Sequence, residues 1–199
     1  MIKNTVFDIG KVLLNFKPLK YLSKKVSERY FLEINDAIFK SPEWLMLDRG
    51  IITQSVAIDR ICERNKENSE LIKDVMNDWY QMLTPIEEVV DILKELKGKG
   101  NKAFYLSNFH ELAFENVTSR YELFKCFDGG IVSYKVGLLK PEKEIYERLI
   151  TTYRIKPQET IFIDDTLENI VAADKLGFVA IHFTSADNLR NILVKSNVI

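Results

Sequence analysis

The chain has 199 residues, with 28 Lys and Arg against 29 Asp and Glu, a formal net charge of −1 and 46% hydrophobic content. That length buries a core without disulfides or structural metal, and balanced, scattered charges lack the basic footprint of a nucleic-acid binder. No apolar run approaches the roughly 18 residues of a membrane span, and the first residues read as neither signal nor transit peptide, so a cytoplasmic protein, monomeric or homodimeric, is expected. Cys62 and Cys126 are too few for a zinc site or disulfide framework and are expected to be buried as small apolar residues.

In chain order, the first buried strand is expected over 5–7, rich in β-branched and aromatic residues and ending in Asp8. Residues 16–84 contain no comparable strand, only helix starts. Ser41-Pro42-Glu43 and Thr53 offer N-caps, and Ser69 opens the run Leu71, Ile72, Val75, Met76, Trp79. Thr84 then caps a helix with Pro85 at its first position and Ile86, Val89, Val90, Leu93 and Leu96 on one face. A strand over 102–106 leads to Ser107-Asn108, and another is expected over 130–133. Pro141 starts a helix carrying Ile145, Leu149 and Ile150. A strand over 160–163 runs into Asp164-Asp165, a helix carries Leu167, Ile170, Val171 and Leu176, and a last strand spans 179–183. Strands alternating with helices predict an α/β fold, a doubly wound parallel sheet covered on both faces. The expected division is a core of residues 1–15 and 85–199 and a helical insertion, 16–84, leaning over the sheet.

In such a sheet, ligands sit beyond the carboxyl ends of the strands. Asp8, Ser107-Asn108 and Asp164-Asp165 would converge there, although each alone also reads as the polar end of a strand, and the Asp pair as a helix N-cap. Lys140, just before the helix expected at Pro141, is either a phosphate ligand near a helix N-terminus or a solvated turn lysine. Arg49, in Asp48-Arg49-Gly50, is a candidate for reaching a substrate, with a solvated turn as the alternative. Trp44 and Trp79 read as core of the insertion, His110 as a residue that could line the pocket, and His182 as structural.

Taken together, these segments resemble the four motifs of the haloacid dehalogenase superfamily: Val6-Phe7-Asp8-Ile9-Gly10, Leu106-Ser107-Asn108, Lys140-Pro141, and Ile163-Asp164-Asp165 followed by Asn169. The insertion resembles that family's C1-type cap, and Phe7–Val12 looks most like small bacterial sugar-phosphate (α-D-glucose-1-phosphate) phosphatases. The resemblance implies a Mg²⁺-dependent phosphatase forming an aspartyl-phosphate on Asp8 and acting on a small phosphorylated metabolite, such as a sugar 1-phosphate. It implies Mg²⁺ bound by Asp8, the Gly10 carbonyl and Asp165, with Asp164 acting through water, and phosphate held by Ser107, the Asn108 amide and Lys140. Dehalogenase and phosphoglucomutase readings fit less well, and the alternative outside catalysis is a catalytically weak protein that binds a phosphorylated ligand or partner.

One departure stands out. Most such phosphatases carry a second Asp two residues after the nucleophile as acid and base, and here that residue is Gly10. A positioned acid or base contributes about 10²- to 10⁴-fold. Its loss implies an inactive protein, substitution by Lys11 or water, or a leaving group that departs easily, and the last is the favoured expectation.

Overall fold

The five apolar runs enter one sheet. In the computed structural model, which describes residues 1–199, β1 (Asn4–Phe7), β2 (Lys102–Ser107), β3 (Gly129–Val132), β4 (Thr160–Asp164) and β5 (Val179–His182) are all parallel, in the order β3-β2-β1-β4-β5. The chain fills one side of β1 and then crosses to the other, so the loops after β1 and β4 diverge and leave a crevice at their carboxyl ends.

Between β1 and the next strand lie α1 (Pro18–Leu22), α2 (Phe31–Phe39), α3 (Pro42–Asp48), α4 (Gln54–Arg64) and α5 (Ser69–Asp78). Two starts are capped as expected: Ser41 Oγ accepts from Trp44 N at 3.2 Å, and Thr53 Oγ1 from Val56 N at 3.3 Å. These helices close around an apolar core of their own, which includes Leu22, Ile34, Ile38, Ile61, Ile72 and Met76.

Other helix starts differ from expectation. Ser69 is the first residue of α5, but the capping position is Asn68, and the Ser69 hydroxyl donates back to the Lys66 carbonyl at 2.9 Å. The helix expected to begin at Thr84-Pro85 is α6 (Glu87–Gly98). Thr84 is unavailable as its cap because Asn15 Nδ2 donates to Thr84 Oγ1 at 3.1 Å and Asn15 N to the Thr84 carbonyl at 2.8 Å. Those bonds tie together the two strands of chain that lead into and out of the helical insertion.

The remaining helices are α7 (Glu111–Arg120), α8 (Ser133–Val136), α9 (Lys143–Tyr153), α10 (Leu167–Lys175) and α11 (Ala186–Lys195). Phe7, Ala103, Ile161 and Ile163 pack with α6, α7 and α11, while Val6, Phe104, Leu106 and Phe162 pack with α9 and α10. Successive side chains thus enter two different buried layers, which is why the strands lack a polar face. Cys62 and Cys126 are free and half-buried instead of buried, because each sits at the rim of an apolar cluster.

Inside the insertion, the buried Glu43 carboxylate accepts from both terminal nitrogens of Arg64, one at 2.9 Å. These hydrogen bonds hold the carboxyl below its usual range against the opposing effect of burial. A depressed acid contributes stability above its unfolded pKa and loses it as pH falls through the folded value. Glu43→Gln is therefore expected to cost about 1 kcal/mol near pH 7, discounted because Arg64 is half exposed. In urea titrations that difference should shrink below about pH 4.

Candidate active site

Asp8 follows β1 directly, buried at the crevice, and its Oδ1 is fixed by three donors. Ile9 N lies at 2.7 Å, Ser107 Oγ from the end of β2 at 2.6 Å, and Lys140 Nζ at 2.9 Å. The same ammonium lies 2.6 Å from Asp164 Oδ2 at the end of β4. Asp164 is fully buried and also accepts from Thr166 N at 2.8 Å and Asn169 Nδ2 at 3.0 Å. One lysine, its side chain 1% exposed, therefore bridges two carboxylates across the crevice.

Burial is the largest effect on Asp8 and pushes its carboxyl up to about 6; Lys140 opposes this and Asp164 adds to it. Burial alone would lower the Lys140 pKa, but Asp8 and Asp164 outweigh it and hold the pKa above its usual value. The pair of acids thus keeps a buried ammonium between the ends of β1 and β4.

Lys140 does not sit directly before a helix. Pro141 was expected to start one, but α9 begins at Lys143, with Glu142 before it. The Glu142 carboxylate turns back to accept from Leu139 N at 3.0 Å, which keeps residues 139–142 as a loop. Asn108 fixes that loop from across the site: its Oδ1 accepts from Lys140 N at 2.8 Å, and its Nδ2 donates to the Lys140 carbonyl at 3.0 Å. Only the backbone amide of Asn108 was expected to act; the side-chain clamp on Lys140 has no signal in the sequence.

Oxygens of Asp8, Asp164 and Asp165 all lie within 4.8 Å of one another. Asp8 Oδ2 and the Gly10 carbonyl accept no hydrogen bond, whereas both Asp164 oxygens are engaged by Asn169 and Lys140. Asp165 Oδ2 pairs with the half-exposed Lys11 at 3.2 Å. Unused hard oxygens beside a cluster of carboxylates suit a small divalent cation. The acidic cluster therefore has the donors to hold a metal.

A cavity of about 160 Å³ opens above Asp8. Trp44 and Trp79, expected as core of the insertion, pack edge to face at 4.7 Å and also form its wall, together with Phe16, Asp48 and His110. The His110 ring centroid lies 4.1 Å from that of Trp44, and burial pushes its pKa down to about 3, so it is neutral. His182 does not line this cavity; its Nε2 lies 3.0 Å from the carbonyl of Asp165, which does.

Arg49 does not point to a free substrate position. Its guanidinium pairs with both oxygens of Glu142, one at 3.2 Å, and donates to the Gly137 carbonyl at 3.1 Å. On either side of it, the Asp48 carbonyl accepts from Ser133 Oγ, and Gly50, at φ +72°, lies so close to the Tyr134 carbonyl that a Cβ would clash with it. Only glycine fits that position without displacement. The turn fastens the insertion onto the segment that carries Lys140.

Comparison with known proteins agrees with this architecture. A sesquiterpene phosphatase from Aspergillus oryzae is 28% identical over 184 residues, covering 92% of this chain and 91% of its own length. A glyceraldehyde 3-phosphate phosphatase from Methanothermobacter thermautotrophicus is 23% identical, covering 89% of this chain and 73% of its own. A HAD family enzyme from Bacteroides thetaiotaomicron, crystallised with magnesium and inorganic phosphate, superimposes with a TM-score of 0.74 at 26% identity, covering 92% of this chain and 95% of that one. The family model for haloacid dehalogenase-like hydrolases matches residues 2–177. With that match over most of its length, the chain belongs to the haloacid dehalogenase-like hydrolases.

Proposed function

We propose that the protein is a Mg²⁺-dependent phosphatase that hydrolyses a small phosphorylated metabolite through an aspartyl-phosphate on Asp8. The observation that carries this reading is the Asp8–Lys140–Asp164 bridge, with Ser107 aiming the Asp8 carboxylate. Asp8 attacks phosphorus in line with the departing oxygen. Ser107, the Asn108 amide and Lys140 hold the equatorial oxygens, and Asn108 keeps Lys140 in place. Asp8, the Gly10 carbonyl and Asp165 would hold Mg²⁺ directly, and Asp164 would act through a water. When bound there, Mg²⁺ would neutralise charge that the clustered carboxylates and phosphate concentrate in one place. Residues 16–84 act as the cap that chooses the substrate, and residues 1–15 and 85–199 as the phosphoryl-transfer core.

A sugar 1-phosphate is the first compound to test, given the likeness of Phe7–Val12 to sugar-phosphate phosphatases. The aromatic wall of Phe16, Trp44 and Trp79 favours a second reading, in which the leaving group is apolar, as in a short prenyl monophosphate. The similarity to a sesquiterpene phosphatase supports it. In either reading the partner is a diffusing metabolite, in the cytoplasm and without nucleic acid or membrane. No helix here is long and apolar enough to cross a membrane.

Phosphate release from p-nitrophenyl phosphate, sugar 1-phosphates and prenyl monophosphates, with and without Mg²⁺, tests the proposal. Turnover that stops when Mg²⁺ is removed is the expected result. Tight binding of these compounds without any turnover would instead identify a binding protein.

A further inference from the structure

We propose that Asp48, at the end of α3, is the catalytic acid and base of this site, supplying from the helical insertion the group that Gly10 leaves out. This rests on the phosphatase reading above.

The neighbours of Gly10 do not fill the gap. Gly10 offers no side chain, and the Lys11 ammonium, although it lines the cavity, is paired with Asp165 at 3.2 Å. Asp48, in contrast, lines the same cavity as Asp8, with its side chain only 11% exposed and its backbone carbonyl held by Ser133. His110 Nε2 lies 3.3 Å from Asp48 Oδ1. That contact is not an ion pair, because burial holds the imidazole neutral. Arg49, the adjacent cation, is committed to Glu142. Asp48 thus forms no hydrogen bond or ion pair with Asp8, Asp164, Asp165 or Lys140, and no cation partners it.

Burial in such a wall favours the protonated carboxyl, the form that an acid for a leaving group needs. The charged and titratable groups facing it are Asp8 after β1, Lys140 before α9 and His110 before α7. Burial raises the Asp48 carboxyl well above its usual range, the Asp8 charge adds to this, and Lys140 opposes it.

The chemistry balances in two steps. An Asp8 oxygen bonds to phosphorus as the bond to the leaving oxygen breaks, and that oxygen takes the broken bond's electron pair and the Asp48 proton. A water oxygen then bonds to phosphorus while its proton passes to the Asp48 carboxylate, and the bond to Asp8 breaks with its electron pair returning to Asp8. Inorganic phosphate departs and Asp48 is protonated again. An acid delivered from the insertion also removes the restriction to easily departing leaving groups that Gly10 suggested.

Single-turnover reactions with the Mg²⁺-loaded protein test this, with the phosphoryl-enzyme followed by intact mass. The substrates are a simple alkyl monophosphate, whose leaving group needs a proton, and p-nitrophenyl phosphate, whose leaving group does not. Asp48→Asn is expected to slow phosphoryl-enzyme formation from the alkyl ester by at least about 100-fold while leaving that from p-nitrophenyl phosphate little changed. The phosphoryl-enzyme should then accumulate, because its hydrolysis has lost its base. Adding Gly10→Asp to Asp48→Asn should restore alkyl-ester turnover, since a Cβ at Gly10 meets nothing within 4 Å. Equal losses with both substrates, or no loss with either, would overturn the role of Asp48. Wild-type turnover that ignores both Mg²⁺ and Asp8→Asn would overturn the phosphatase reading itself, a different result from any of these.

Discussion

Asp8→Asn is expected to abolish phosphate release, by at least about 10⁴-fold, since removing a covalent nucleophile leaves only binding and electrostatic stabilisation. The amide oxygen can still accept from Ile9 N and Ser107 Oγ, which now bond to Asp8 Oδ1 at 2.7 and 2.6 Å, so the site should keep its shape. The variant also removes a carboxylate whose ionisation burial opposes, and Lys140 retains Asp164 as its partner. Its melting temperature without metal should therefore not fall. A folded, inactive variant with no phosphoryl-enzyme by intact mass confirms the nucleophile; residual turnover near the wild-type rate would remove Asp8 from the chemistry.

Lys140→Met is expected to have the largest effect on stability. The substitution keeps the length of the side chain but leaves Asp8 and Asp164 facing each other, buried, with no counter-charge. Breaking a buried ion pair from one side costs about 3–5 kcal/mol, so the metal-free protein should melt far below wild type. Mg²⁺ should recover more of that loss in the variant than it adds to the wild type, because the ion then supplies the missing positive charge. Activity should fall by about 10²- to 10³-fold even at saturating Mg²⁺, the loss expected when one fixed positive group near the transferring phosphoryl is removed. Calorimetry with and without Mg²⁺ checks the first expectation and steady-state rates the second. An unchanged melt would mean that the ammonium does not hold the two strand ends together.

The strands were legible because each is apolar on both faces, and the acids because they stand where those strands stop. Asp8, Ser107, Asp164 and Lys140 meet within hydrogen-bond distance, and Asp165 lies beside them. Local capping at Ser41 and Thr53 was equally readable, since donor and acceptor lie three residues apart. Thr84-Pro85 and Pro141 misled because distant or looped partners compete: Asn15 holds Thr84, and Glu142 folds back onto Leu139. The use of Asn108 as a clamp, of Arg49 as a fastening to Glu142, and of Trp44, Trp79 and Asp48 as cavity walls depends on how the insertion docks. Contacts of that kind join residues far apart in the chain and leave no periodic trace in it.

The fastening turn at Asp48–Gly50 has a consequence for any exchange of the insertion. Its anchor points, Ser133, Tyr134, Gly137 and Glu142, belong to the same short stretch as Lys140. The insertion and that stretch therefore form two halves of one docking surface. A chimera that takes helices α1 to α5 from a relative must take residues 133–142 as well, or the grafted helices will seat against the wrong surface and carry the lysine loop out of register with Asp8.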